Sequence, residues 1–221
     1  MTNPHQLGEN QRQLWQWSML AILSLAIAGL FAVLLVLSRA PGTSEYVPWP
    51  EDFFQKGLIT HVSLSFLVWF LAVFGALNTA MVPCNKSAFR IDLCHFMQRA
   101  AIFLFFVGFI ALLIPPFLKV GTPSLNNYIP VIINPIYYIG LVLMALGVLV
   151  SVIRVLNNFD TLTIKDFREK PILVGACVLY ITAFVAVGIS AEQLKAEPIN
   201  YDYNESLFWG SGHILQIFNV T

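Results

Sequence analysis

The sequence predicts an all-α fold, a polytopic transmembrane helix bundle, on three observations. Hydrophobic residues make up 57% of the 221-residue chain, above the ~45–50% of soluble domains. Charged residues make up only 11%, about half the usual share. Five runs reach the ~20 mostly apolar residues that a spanning helix needs. Such a composition excludes a soluble globular enzyme, a disordered chain and a disulfide scaffold.

The first run covers 14–37. It is longer than the ~7–15-residue core of a cleaved signal peptide, and the following Ser38-Arg39-Ala40-Pro41-Gly42 offers no clean small-x-small site, so it reads as a retained helix. The next four runs are 58–82, 100–120, 129–156 and 172–191. A sixth starts near Ser206 and is still apolar at Thr221. The expectation is five full helices plus a truncated sixth in one transmembrane domain, 1–221. Short loops join them, with turn-like Pro41-Gly42, Pro48-Trp49-Pro50 and 123–127. Pro115-Pro116 is expected to kink or end the third helix. Asp160-Thr161-Leu162-Thr163 fits the cap of a short helix in the fourth loop.

Loop cations set the orientation. Arg12, Lys86, Arg90, Arg99, Arg154, Lys165, Arg168 and Lys170 fall on the N-terminal side, against Arg39, Lys56, Lys119 and Lys195 on the other. The N-terminus is therefore expected in the cytoplasm, and the protein in a bacterial inner membrane. The 12 basic and 12 acidic residues cancel, so no basic excess exists to hold nucleic acid, and the expected partner is the lipid bilayer. Cys84, Cys94 and Cys177 are odd in number and show no CxxC or metal spacing, so they read as free, mostly apolar-facing thiols. No Gly-rich phosphate loop, HExxH or GxSxG occurs.

Four histidines remain. His5 lies in a polar tail. His95, beside Asp92 and Cys94, reads as a solvated loop residue. His61 and His213 are different, because both lie inside apolar runs. At ~1.5 Å per residue both should sit ~6–10 Å below the outer surface. Ionisable groups at that depth are costly and suggest a site. Below His61 the same face carries Ser65, Val68, Ala72, Gly75 or Ala76, and Thr79. A flat macrocycle ligated by His61 fits that small-residue face, and so does close helix packing. Before His213 stand Trp209-Gly210-Ser211-Gly212. Trp209 shares its face, Gln216 adds a polar group, and Gly212 permits close approach. Neutral imidazole is a good ligand for copper or iron, while a buried, hydrogen-bonded histidine beside an interfacial Trp explains the motif equally well. Ser63, Ser65, Asn78, Thr79, Tyr137 and Tyr138 are further polar groups in the spans, read as packing or interfacial residues.

One histidine near the outer end of helix two, in Thr60-His61-Val62-Ser63-Leu64-Ser65, and Trp209-Gly210-Ser211-Gly212-His213 in helix six resemble the catalytic subunit I of the heme-copper oxidase superfamily. That superfamily includes cytochrome oxidases and nitric oxide reductases. The resemblance implies that His61 is an axial ligand of a low-spin heme. It implies that His213 ligates the active-site copper, or non-heme iron, beside a high-spin heme, with Trp209, Gly212, Gln216 and Ser65 in support. It further implies oxygen reduction, or nitric oxide reduction in the alternative, with cytochrome c or a quinol as donor. The family subunit has about twelve spanning helices, and its His-His and His-x-His pairs lie in the second half. This chain therefore corresponds to the N-terminal half, and other oxidase subunits or the C-terminal half are expected partners. The familiar oxidases carry Glu two and Tyr four residues after the sixth-helix histidine. Leu215 and Ile217 stand there, which points to a divergent branch. Two competing readings remain: a small membrane cytochrome b-like protein, and a non-catalytic polytopic membrane protein.

Overall fold

Inside a bilayer no water satisfies backbone N–H and C=O groups, so each apolar run must close its own hydrogen bonds as a helix. A computed structural model describes residues 4–43, 52–82, 84, 88–158 and 169–219, apart from the side chains of 4–7, 88–90 and 169–170. The helices are α1 (Pro4–Arg39), α2 (Phe53–Val62), α3 (Trp69–Met81), α4 (Ala88–Leu113), α5 (Pro135–Asn157), α6 (Glu169–Gln193) and α7 (Tyr201–Phe218). A π-helical stretch, Ser63–Val68, joins α2 to α3 in one continuous span. Among the described residues, five segments are long and apolar enough to cross a membrane. The expected turn at Pro48–Pro50 and the cap at Asp160–Thr163 lie outside the described residues.

The chain runs up and down, and neighbours in sequence pack together: α1 on α2 and α3, α4 on α5, α6 on α7. The tightest pair is α4 and α5. A Cβ at Gly108 would stand 2.5 Å from Gly140 O, and one at Gly147 would stand 2.7 Å from Ala101 O. Small residues let two backbones meet where lipid supplies no hydrophobic drive between helices.

α4 ends at Leu113, just before Pro115-Pro116, as their missing N–H groups dictate. The expected fourth run, 129–156, is corrected at its start. Thr122–Ser124 (β1) and Val131–Ile133 (β2) form an antiparallel hairpin, and the helix begins only at Pro135. The reason is local: Asn134 accepts a hydrogen bond from Ile136 N, and Pro135 occupies the first helical position. Apolar content alone had merged a buried strand with the helix after it.

Two further expectations are overturned at the N-terminal end of the bundle. His95 is no loop residue: it lies in α4 and is only 4% exposed. Its Nδ1 stands 3.8 Å from Glu9 Oε2 on α1, and Arg99, one turn on, holds Glu9 Oε1 at 3.0 Å. The polar start of α1 continues the helix below the apolar run and covers α4. Cys84 and Cys94 are not free thiols but joined as a disulfide, their Cα atoms 5.8 Å apart. Ten residues separate them in sequence, a distance that no spacing motif records. Cys177 is free and buried, as expected.

Candidate functional site

The end of the bundle opposite the start of α1 is arranged around the hairpin. Lys56 on α2, fully buried, donates to Leu118 O at 3.0 Å and Val120 O at 3.2 Å and pairs with Asp52 at 2.8 Å. It thereby fixes the chain leaving α4. The hairpin's other edge meets the span through Ser63, which lies 2.8 Å from the Tyr137 hydroxyl and donates to Pro130 O at 3.4 Å. The loop is then pinned to α7. Glu205 accepts from Asn127 N at 3.1 Å and from Asn127 Nδ2 at 2.6 Å. Asn204, fully buried, accepts from the Tyr138 hydroxyl at 2.7 Å.

His61 sits on the last turn of α2, half-buried. Its Nδ1–H donates to Ala28 O on α1 at 2.8 Å. That bond makes Nδ1 the donor, so in the neutral ring the lone pair is on Nε2. A histidine that donates one ring N–H to a backbone carbonyl presents a well-oriented, more basic ligand on its other nitrogen. The Ser65 hydroxyl donates to His61 O. An unbroken α-helix would give that carbonyl to the Ser65 amide, so the side chain competes with the backbone where the π-helical stretch lies. The small-residue face splits at this point. Ala72 is buried, and a Cβ at Gly75 would stand 2.6 Å from the Trp17 ring of α1. The lower face is thus filled by helix packing, and only its upper part, around His61 and Ser65, is left half-open.

His213 lies past the middle of α7 and is exposed, as are Trp209 and Gln216. Its Nδ1–H donates to Trp209 O at 2.8 Å, and its Nε2 lies 2.9 Å from the Tyr128 hydroxyl. The ring stands between those of Tyr128 and Trp209, with centroids 4.5 and 4.4 Å away. Of the two glycines before it, Gly212 is the one that matters. A Cβ there would fall inside the Tyr128 side chain, whereas one at Gly210 meets nothing. What approaches the backbone closely is therefore Tyr128 from the hairpin. Sequence reasoning missed Tyr128, Asn127 and Glu205; the only signal was Gly212, which marks a close approach without naming its partner.

Among the described residues, no hydrogen bond or ring contact joins His61 to His213, and no three His, Cys, Asp or Glu side chains cluster as metal ligands. His61 is held through Nδ1, so Nε2 is the nitrogen that would meet a bound group, whereas His213 has Nδ1 held by Trp209 O and Nε2 by the Tyr128 hydroxyl. Between α5, α6 and α7 lies a separate apolar cavity of about 290 Å³, lined by Leu71, Tyr138, Tyr180, Val187, Leu207 and Ser211 and by neither histidine.

No family model matches the chain, and no solved structure matches it. It is 29% identical to an uncharacterized protein of Rickettsia prowazekii (strain Madrid E), over 90% of this chain and 43% of that protein. It is also 29% identical to an uncharacterized protein of Aquifex aeolicus (strain VF5), over 92% of this chain and 50% of that one. The chain thus spans about half the length of the curated relatives it matches, or less.

Proposed function

We propose that this chain is the N-terminal part of a heme-copper-oxidase-like membrane oxidoreductase. In this reading it reduces oxygen, or nitric oxide in a reductase-like branch, in a bacterial inner membrane. The observation that carries the reading is the His61 bond to Ala28 O, which commits Nδ1 to the backbone and leaves Nε2 as the nitrogen to ligate within a membrane span. A bound low-spin heme supplies one-electron transfer, and a high-spin heme with copper or non-heme iron supplies the reducing centre. The residues of this chain hold and orient. Ala28 sets the His61 tautomer. Trp209 O sets that of His213, so Nε2 is the nitrogen left to ligate.

Two features support an unfilled complement on the His213 side. An ionisable ring at membrane depth is costly when it faces lipid, and His213, Trp209 and Gln216 are all exposed along one helix face. The relatives have chain to spare, about as much again as this one. In the proposal that further chain, or another subunit, covers the face and brings the remaining ligands, and cytochrome c or a quinol donates electrons.

The test uses membranes of cells expressing the whole protein that carries this chain. Reduced-minus-oxidised spectra report heme, and elemental analysis of the purified protein reports copper and iron. His61→Ala is expected to abolish the low-spin heme band. His213→Ala is expected to spare that band and remove one metal ion per protein. Loss of the same heme in both variants would make it a cytochrome b-like protein. A well-expressed wild type with neither heme nor metal would overturn the reading in favour of a non-catalytic membrane protein.

A further inference from the structure

The disulfide between Cys84 and Cys94 is out of place at the end of the bundle where it lies. That end carries the N-terminal part of α1, which meets α4 through Glu9 and Arg99 at 3.0 Å. By sequence position, eight of the twelve Lys and Arg residues fall on the N-terminal side of the spans, the bias of a cytoplasmic face. Disulfides there are rare, and those that occur are mostly transient, catalytic or redox-sensing.

Both sulfurs also have a partner suited to the opened state. Gln98 Oε1 lies 3.5 Å from Cys84 Sγ. A disulfide sulfur has no proton to give that oxygen, whereas a Cys84 thiol would donate to it. Arg154 Nη1 lies 4.0 Å from Cys94 Sγ. A guanidinium does little for a disulfide sulfur but favours a thiolate. The same guanidinium acts electrostatically on Cys177, the third cysteine, which is fully buried. All three cysteines therefore gather at one end, about one buried cation and one idle amide oxygen.

We propose that Cys84 and Cys94, each buried to 2% exposure, form a reversible thiol–disulfide pair at the end of the bundle that carries the start of α1, opened by a dithiol reductant and closed by a disulfide oxidant. In opening, a thiolate of the reductant bonds to Cys84 Sγ. The S–S bond breaks, and its electron pair stays on Cys94 Sγ beside Arg154; that sulfur then takes up the proton that the reductant's first thiol lost on becoming the thiolate. The reductant's second thiol attacks its own sulfur in the mixed disulfide, releasing Cys84, and passes its proton to Cys84. Two electrons and two protons have moved from the dithiol, which leaves as a disulfide. Leaving-group stability sets the direction of attack, so Cys94, next to Arg154, leaves and Cys84 is the sulfur attacked.

The experiment counts thiols on the whole protein in open membranes, acid-quenched, denatured and labelled with a maleimide. After dithiothreitol three labels per chain are expected, and after oxidised glutathione one, on Cys177. Three labels under both conditions would show that no bond forms, and one under both would show a fixed structural bond; either overturns the proposal. The direction of attack is read separately, with glutathione disulfide as probe. The Cys94→Ser protein should trap glutathione on Cys84 several-fold more than the Cys84→Ser protein traps it on Cys94. Equal yields overturn the part assigned to Arg154. Should either variant fail to fold, the wild-type label count still decides.

Discussion

Arg154 on α5 closes the open end of α3: its Nη1 donates to Val82 O at 2.6 Å and its Nη2 to Asn78 O at 2.6 Å. Asn78 O also accepts from Val82 N at 3.3 Å, whereas Val82 O lies past the helix end, where carbonyls lack an intrahelical partner. A fully buried guanidinium with two such bonds fixes α3 to α5. Each bond to a charged group is worth ~1.5–3 kcal/mol. Arg154→Met should therefore cost about 3 kcal/mol and lower the melting temperature of the solubilised protein by several degrees. Arg154→Lys should recover part of it, since an ammonium reaches one carbonyl. A Met variant that melts like wild type would refute the capping role.

Glycine substitutions should rank by what a new Cβ meets. At Gly108 it meets the backbone of α5, 2.5 Å from Gly140 O, which cannot move aside. At Gly75 it meets the Trp17 ring at 2.6 Å, and Trp17→Phe should relieve part of that clash. At Gly175 it meets nothing, so Gly175→Ala should be neutral or stabilise by up to ~1 kcal/mol through helix propensity. Melting temperatures should fall in the order Gly175→Ala, Gly75→Ala, Gly108→Ala.

Tyr128→Phe removes the hydroxyl that occupies His213 Nε2 at 2.9 Å while keeping the ring that fills the space above Gly212. Titration with Cu²⁺ should show tighter binding than in wild type, with the gain absent in Tyr128→Phe/His213→Ala. An unchanged affinity would mean that the imidazole nitrogen is not the ligand.

Lys56→Met strips two carbonyls and Asp52 of their partner. Limited proteolysis should then cut around 118–121 faster than in wild type. Asp52→Asn should have a smaller effect, because that carboxylate is a third exposed and its pairing is screened by solvent.

The spans were legible because hydropathy is a sum over some twenty residues, and single errors average out. The end of α4 was legible because two prolines leave no choice. The hairpin was not, since 129–134 is as apolar as the helix it precedes, and only the Asn134-Pro135 pair marks the boundary. His95 escaped because its burial depends on the polar start of α1 folding over α4, a contact between residues some ninety apart. At the candidate site, depth and residue type singled out His61 and His213. Their partners Ala28 O and Tyr128 were invisible, one a backbone atom and the other a loop residue from a distant segment.

The π-helical stretch from Ser63 to Val68 gives one span two independent faces. A π-turn carries one residue more than the α-turn it replaces, and one residue is about 100° of rotation. His61 above it is therefore aimed separately from Gly75 and Asn78 below, which are locked onto Trp17 and Ser151. Removing one residue from the stretch would restore a plain α-helix. The lower half would keep its packing, while the imidazole would swing by a quarter-turn or so away from Ala28. One extra residue in a helix thus sets the direction in which the imidazole of His61 points.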